Sequence, residues 1–434
     1  MPVTRSRPRL LFAFWDGGRG HLTRTLALAA QARRRGAVVG IVTSSKFAAE
    51  LRAAGSADAL FVIENRPPRQ GLPPYPMPLY SHAYRHAQRL RGLGFHDAEW
   101  IMQITRQEMD TIRSFRPSVI VNDYRDTIRS AAEACGVPVL GITHATGNRG
   151  GAIMGSWVDV PPGTVMPDCR DSFNSVRVRL GLAPIEDERF MFEGDMSIVP
   201  STPALDPLDA DCANTVYAGL ITGAGSGAHV PVRLSERGTR FNVYSYVGEP
   251  TRPQFGFEAV LDQVVGDLPD VGFYIVSDEN RFAAGGPVDR RRRAGTVVVE
   301  RYIPGAAAMA DSAVTICHGG NSTVMLALTL GRPVICVGPY HSDCAAAFRR
   351  VAAEGAGFHL PHSVGPLERR PAPDLGTDVE IFGYWHSEIT SNTLRDAITT
   401  VADDDRFAVQ ARRMGADLLA LGGTDTVLDI CVEF

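Results

Sequence analysis

Two short segments of the chain carry side chains whose types and spacing could do chemistry. FWDGGRGHLTR (14–24) sets Gly17, Gly18, Gly20 and His21 between the apolar run RLLFAF and the helical run LALAAQARRRG. Glycines let the backbone come close to a ligand or a facing domain, and His21, at the start of a helix, would point into the crevice there. A dinucleotide does not fit this loop, because GGRGH lacks the third glycine at its proper offset and no acidic residue closes the second strand near residue 43. In the second segment, AVTICHGGNSTVMLALTLGRPVICVGPYHSD (313–343), His318-Gly319-Gly320 turns the chain and Asn321-Ser322-Thr323 opens a helix. Small hydroxyl and amide residues beside the free N–H groups of a helix N-terminus form an anion site suited to a diphosphate. The same three residues could instead serve only as helix caps. His-Gly-Gly, however, adds a donor and a close backbone approach that a cap does not need.

Each segment needs a strand ahead of it and a helix behind it, and the chain supplies that rhythm twice. RLLFAF (9–14), AVVGIVT (37–43), SVIVND (118–123) and VPVLGIT (137–143) read as buried strands alternating with amphipathic helical runs, the pattern of parallel α/β sheets. FNVYSYVG (241–248), VGFYIVS (271–277), TVVVERY (296–302), AVTICHG (313–319) and RPVICVG (332–338) repeat it. The fold class expected is α/β, with two similar domains and ligands at the carboxyl ends of the strands. VPSTPALDPLDADCANTVYAG (199–219), rich in Pro, Asp and Ala, is the linker candidate. It sets an N-terminal domain at 1–210 and a C-terminal domain at 211–403. Residues 404–434 form a helical tail that could pack back on the N-terminal domain.

Composition narrows the function classes. With 44 basic and 48 acidic residues the net charge of −4 offers no basic excess for nucleic acid, and RRRR at 290–293 reads as a solvated surface loop. No apolar run approaches the ~20 residues that cross a bilayer. The run LLFAFW after Arg9 has no cleavage pattern behind it and makes a poor secretion signal, so a cytoplasmic protein is expected. Seven cysteines without a C-x-x-C pair or a histidine cluster argue against a disulfide framework and against structural zinc.

HGGNST, followed by a helix, LGRPVICVGP and an acidic residue, resembles the nucleotide-sugar signature of GT-B glycosyltransferases related to the UDP-glycosyltransferases and bacterial natural-product glycosyltransferases. GGRGHLTR with RRRGAVVGIVTS resembles the start of the same enzymes, and NTVYAGL and RYIPGAAAMADSAV follow in the family's order. The resemblance covers most of the chain and implies two Rossmann-like domains facing across a cleft. It implies inverting transfer of a sugar from a nucleoside-diphosphate sugar to a small-molecule acceptor, a natural product.

Such transfer needs a base to take the acceptor's proton as the anomeric carbon is attacked. By resemblance that base is His21, held by an aspartate at the end of a later strand. Asp123 in SVIVNDYRD matches it, with Asp126 as the competing carboxylate. A carboxylate on one imidazole nitrogen fixes the tautomer and stabilises the imidazolium that forms. The resemblance places the diphosphate on His318, Gly319, Gly320, Asn321, Ser322 and Thr323, the nucleobase by Tyr302 and Ile303, and sugar hydroxyls on Asp343. The acceptor falls to the N-terminal half, with Gly18, Gly20, and His144 and Asn148 of THATGNRGG turned toward the crevice. Asp209-Ala-Asp211 has the D-x-D spacing that holds a divalent ion in the other large glycosyltransferase fold, but it lies in the linker with no phosphate helix beside it. No metal and no cofactor beyond the sugar donor are expected.

Some positions depart from the family pattern. Met325 stands where plant relatives carry a ribose-binding Glu, Asp343-Cys344 replaces a sugar-facing Asp-Gln pair, and Glu249 follows Gly248 where Ser or Thr is usual. These point to an unusual sugar. The Pro-rich, aromatic stretch 64–100, with Arg66, Arg69, Arg85, Arg89 and Arg91, reads as a variable acceptor loop. A nucleotide-sugar epimerase or hydrolase on the same fold would tend to gather several carboxylates around the sugar. A catalytically silent partner protein would need none of His21, Asp123 and HGGNST together.

Overall fold

The computed structural model describes residues 7–65, 94–148, 154–156, 169–208, 212, 214–223, 230, 232–247, 257–277, 286–337, 350–360, 363–371, 380–386 and 389–434. Two parallel sheets organise the chain. The first holds β1 (Arg9–Phe14), β2 (Val38–Thr43), β3 (Ala59–Val62), β4 (Val119–Asp123) and β5 (Val139–Ile142). After β6 (Met154–Ser156), which lies elsewhere, β7 (Met196–Val199) and β8 (Thr215–Tyr217) complete it in the order β3-β2-β1-β4-β5-β7-β8. The second holds β9 (Asn242–Tyr246), β10 (Gly272–Val276), β11 (Val297–Glu300), β12 (Val314–Cys317), β13 (Val334–Val337) and β14 (Gly357–Leu360), ordered β11-β10-β9-β12-β13-β14. Strands covered by helices on both faces read as unbroken apolar runs, and Leu10 to Phe14 of β1 are all buried.

In both sheets the order reverses beside the first strand, between β1 and β4 and between β9 and β12. A crevice opens at the carboxyl ends of strands at such a switch point. The register sets Phe14 opposite Asp123 and Tyr246 opposite Cys317. The glycine loop and the HGGNST turn leave the sheets at these two places. Topology alone therefore aims the two segments with chemistry at their crevices.

The structure moves several expected boundaries. The first helix runs Arg19–Arg34 rather than from His21, because Gly18 takes the extended N-cap position. β8 pairs with β7, so the first sheet continues beyond the boundary expected at residue 210 and the next sheet strand starts only at Asn242. RRRR lies on a helix, Pro287–Arg293, instead of in a loop. The reason is Arg291, whose guanidinium donates to the carbonyls of Val265 (2.9 Å) and Leu268 (2.7 Å) at the end of helix Phe257–Asp267.

The tail divides between the halves. Helix Asp405–Ala420 packs against helix Asn321–Thr329, with Ala411, Met414 and Leu418 in the same core as Val324 and Leu328. Their contact is close enough that a Cβ on Gly415 would stand 2.1 Å from the Leu328 carbonyl oxygen. Helix Thr424–Glu433 returns to the first half, where Val427, Leu428 and Cys431 join Leu22 and Leu28 in one core. Arg35 seals that return with 2.6 Å pairs to Asp425 and Asp429. A further link was not expected: β15 (Ser363–Pro371) and β16 (Glu380–His386) form an antiparallel hairpin whose second strand pairs in parallel with β6 of the first half.

No described helix is long and apolar enough to cross a membrane. None of the described cysteines forms a disulfide. Among the described residues no three His, Cys, Asp or Glu side chains gather as a metal site.

Candidate active site

Adjacent parallel strands bring the first half of the site together. β1 and β4 end side by side, and the Trp15 N–H donates to the Asp123 carbonyl (2.9 Å), so the glycine loop starts against the carboxylate. His21 and Arg24 lie three residues apart on helix Arg19–Arg34, which puts them on one face. Both turn to Asp123. His21 Nδ1 is 2.7 Å from Oδ1, while Arg24 donates through Nη2 to Oδ1 (2.8 Å) and through Nε to Oδ2 (2.9 Å).

Burial disfavours a charged Asp123, but the Arg24 guanidinium and His21 beside it hold the carboxyl well below the usual carboxylate range. An ionised oxygen 2.7 Å from Nδ1 requires the proton on that nitrogen. Nη2 of Arg24 also lies 2.9 Å from Nδ1, and it donates one hydrogen to Asp123 Oδ1. In the neutral ring, Nε2 is then the proton acceptor. The ring keeps 14% of its side chain exposed against 3% for Asp123, as a group that meets a substrate should.

This depressed carboxyl has a signature in stability. A group whose folded pKa is lowered contributes stability above its unfolded value, about 3.9 for Asp, and loses it as the pH falls toward the folded value. Urea midpoints measured downward from pH 6 should fall more steeply for the native chain than for Asp123→Asn. Parallel curves would show that the carboxylate is not held in this way.

The second half of the site is the N-terminus of helix Asn321–Thr329. Its N-cap is Gly320 and no side chain caps it, so Asn321, Ser322 and Thr323 do not serve as caps. Gly319 adopts φ 84°, a left-handed turn that glycine tolerates, and swings the chain from β12 into the helix. His318 stands edge-on to Tyr246 at the end of the neighbouring strand, ring centres 5.7 Å apart.

Two bonds join the halves here. Arg24 Nη1 donates to Ser322 Oγ (3.1 Å), and Asn321 Nδ2 lies 2.6 Å from His144 Nδ1. A Cβ on Gly20 would sit 3.3 Å from Ser322 Oγ, so the glycine permits this close approach. Tyr124 stands between the two histidines, 5.8 Å from the His21 ring and 5.7 Å from the His144 ring. It stacks on Phe192 at 5.0 Å, and its hydroxyl accepts from the His144 N–H.

The sequence expectations fare unevenly. His21, Asp123, His144, Asn321 and Ser322 meet, together with Gly20. Asp123 holds His21, whereas helix Ile128–Ala134 has Thr127 as its N-cap, so Asp123 is not a helix cap. Asn148 turns away from the crevice: its amide donates to Thr215 Oγ1 (3.2 Å), tying the loop to β8. Tyr302 is 69% exposed and could meet a base, but the Ile303 side chain is buried in the core. Met325 is also core, a reason beyond any ribose contact for an apolar residue there. Asp343, Cys344, Gly248, Glu249, Asp209, Asp211, Arg66, Arg69, Arg85, Arg89 and Arg91 lie outside the described residues.

Sequence reasoning missed Arg24, Tyr124 and Asp206. Arg24 had a signal, since it follows His21 by one helical turn. Tyr124 follows Asp123 at φ 61°, a left-handed conformation rare for a bulky residue and often found at functional sites. Asp206 had none. From the Pro-rich stretch it accepts the Ala145 N–H at 3.0 Å and so holds the loop that carries His144.

No family model matches the chain. It is 25% identical over 286 residues to a PGL/p-HBAD biosynthesis rhamnosyltransferase of Mycobacterium bovis, a match that covers 60% of this chain and 61% of that one. The chain therefore spans under two thirds of that relative's length. Solved structures match almost throughout. The glycotransferase of kitacinnamycin aligns over 99% of both chains (TM-score 0.69, 18% identity). The spinosyn rhamnosyltransferase SpnG, complexed with thymidine diphosphate, aligns over 98% of this chain and 99% of its own (TM-score 0.62, 18% identity). With two parallel-sheet domains superimposing on these enzymes over nearly their whole length, the chain has the GT-B glycosyltransferase fold.

Proposed function

We propose that this protein is an inverting glycosyltransferase that moves a sugar from a nucleoside-diphosphate sugar to a hydroxyl of a small molecule. The observation that carries the reading is the His21–Asp123 pair, set at 2.7 Å on one half and facing an uncapped helix N-terminus on the other. In this reaction His21 Nε2 takes the acceptor's hydroxyl proton while the oxygen attacks the anomeric carbon. The bond from that carbon to the diphosphate breaks, and its electron pair leaves on the diphosphate. Asp123 orients the ring and stabilises the imidazolium. The backbone N–H groups of Asn321 and Ser322 and the side chains of Asn321 to Thr323, with His318, receive the leaving charge, the task that oriented donors perform at a helix N-terminus.

Donor and acceptor lie on opposite halves in this reading, with Tyr302 at the base and His144 on the acceptor side. No cofactor beyond the sugar donor is required. Three of the solved structures with this fold carry thymidine diphosphate by title, which favours a thymidine nucleotide as the first donor to test.

The experiment is a calorimetric titration with thymidine diphosphate and uridine diphosphate, joined to a screen of their sugars with hydroxyl acceptors. His318→Ala should weaken diphosphate binding by about 1.5–3 kcal/mol, the range for a lost hydrogen bond to a charged group. Unchanged affinity would move the diphosphate elsewhere. Conversion of the nucleotide sugar without transfer to any acceptor would instead favour a hydrolase or epimerase.

A further inference from the structure

We propose that Arg24 is a positioning residue that couples the two halves of the reaction, tying the base pair His21–Asp123 to the diphosphate helix through Ser322. The inference rests on the glycosyltransferase reading and adds a residue to it. Its ground is a single buried side chain with partners on both sides of the cleft.

Arg24 is 4% exposed, and its three nitrogens divide their work. Nε and Nη2 grip the two oxygens of Asp123 as a fork, and Nη1 reaches across to Ser322 Oγ at 3.1 Å. A planar guanidinium can do this because its donors are fixed in one frame. A lysine ammonium, a point charge on a flexible stem, cannot hold both carboxylate oxygens and a hydroxyl of the other half in that geometry. The Asp123 carboxylate is thereby locked in orientation, and with it the Nδ1 proton of His21. Movement of helix Asn321–Thr329 relative to the first half would pull on the same frame that aims the base.

The second consequence is electrostatic. In a simple His–carboxylate pair the full negative charge faces the ring. Here Arg24 shares that charge by gripping both carboxylate oxygens. The charged and titratable groups facing His21 are Asp123 at the end of β4, Arg24 on its own helix, and Tyr124 after β4, with His144 beyond the Tyr124 ring. Arg24 bonds to the diphosphate helix through Ser322 Oγ, as His144 does through Asn321 Nδ2.

The test compares wild type with Arg24→Met, Arg24→Lys, Ser322→Ala and the Arg24→Met/Ser322→Ala double variant. Turnover is read as release of nucleoside diphosphate from the nucleotide sugar that wild type accepts, and binding by calorimetry with thymidine diphosphate. Arg24→Met should lower kcat by about 100-fold, the scale of a misaligned reacting group, with a much smaller loss in diphosphate affinity. Arg24→Lys should also keep kcat low, because the ammonium cannot hold both carboxylate oxygens and Ser322 in one frame. The losses in the double variant should be less than the product of the single losses.

A merely structural arginine would lower diphosphate affinity as much as kcat in Arg24→Met and give multiplicative losses with Ser322→Ala, and either result overturns the proposal. If Arg24→Met fails to fold, as judged by circular dichroism, Arg24→Lys decides: wild-type kcat with the lysine overturns it. Wild type that binds neither thymidine nor uridine diphosphate would overturn the glycosyltransferase reading itself, an outcome distinct from any failure of Arg24.

Discussion

Replacing His21 by alanine should remove nearly all transfer and leave the binding of thymidine diphosphate intact. The diphosphate helix belongs to the other half of the protein, so the substitution touches an interaction that matters only as the acceptor proton moves. A positioned base contributes about 10²–10⁴-fold. Asp123→Asn should be almost as damaging, for a specific reason. The amide can accept from Arg24 or from His21 through one oxygen only, and its NH₂ confronts donors on both partners. The ring then loses the contact that keeps the proton on Nδ1 and Nε2 free. Because the pair acts as a unit, the double variant should lose little more than the worse single one. Initial rates at saturating donor, with calorimetry on the same preparations, check this. Substantial activity in His21→Ala with diphosphate binding preserved would remove the histidine from the chemistry, as expected for an acceptor that needs no base.

Glu108→Ala should cost about 3–5 kcal/mol of stability, the range for breaking a buried ion pair from one side. Glu108 and Arg125 are both fully buried, with Nε and Oε1 2.5 Å apart. Thr127 donates to the same oxygen at 2.9 Å, and the Arg125 N–H donates to Asn122 Oδ1 at 2.9 Å. This cluster lies beneath the turn from Asp123 to Thr127 that carries Tyr124 at its positive φ. Removing the carboxylate strands a guanidinium in the core and releases the turn. Replacing both partners, Glu108→Leu with Arg125→Met, should recover most of the loss, because neither charge is then left unpaired. Urea denaturation of the three variants measures it. A cost below about 1 kcal/mol for Glu108→Ala would show that the charge finds water on relaxation, as surface pairs do.

The reach of the sequence can be judged residue by residue. The α/β class was legible because strands buried on both faces must be apolar along their length, and RLLFAF, SVIVND and AVTICHG are. His21 and Asp123 were legible separately, each at the carboxyl end of a strand where a parallel sheet opens to ligands. HGGNST announced a turn into a helix N-terminus, since that is formed by neighbours in the chain. These are consequences of short-range periodicity and backbone geometry, which a sequence carries directly.

What lay beyond it depends on pairing between distant segments. No periodicity says that Arg24 spans 298 positions to reach Ser322, or that His144 meets Asn321 across 177. The linker read as featureless because its composition is that of a turn, yet β8 forms inside it by pairing with β7, and Asp206 reaches the His144 loop. Asn148 follows the same strand end as His144, and its neighbour Thr215 drew it away. The last helix shows an ordinary amphipathic pattern, and only its packing on Leu22 and Leu28 of the first half decided where it lies. The sequence by itself thus determined the two crevices and the residue types at their edges, because those are local. Which side chains meet across the cleft, and that one buried arginine joins the His21–Asp123 pair to helix Asn321–Thr329, was decided by tertiary structure, because a guanidinium in the interior takes whatever partners the packing of two domains brings within about 3 Å.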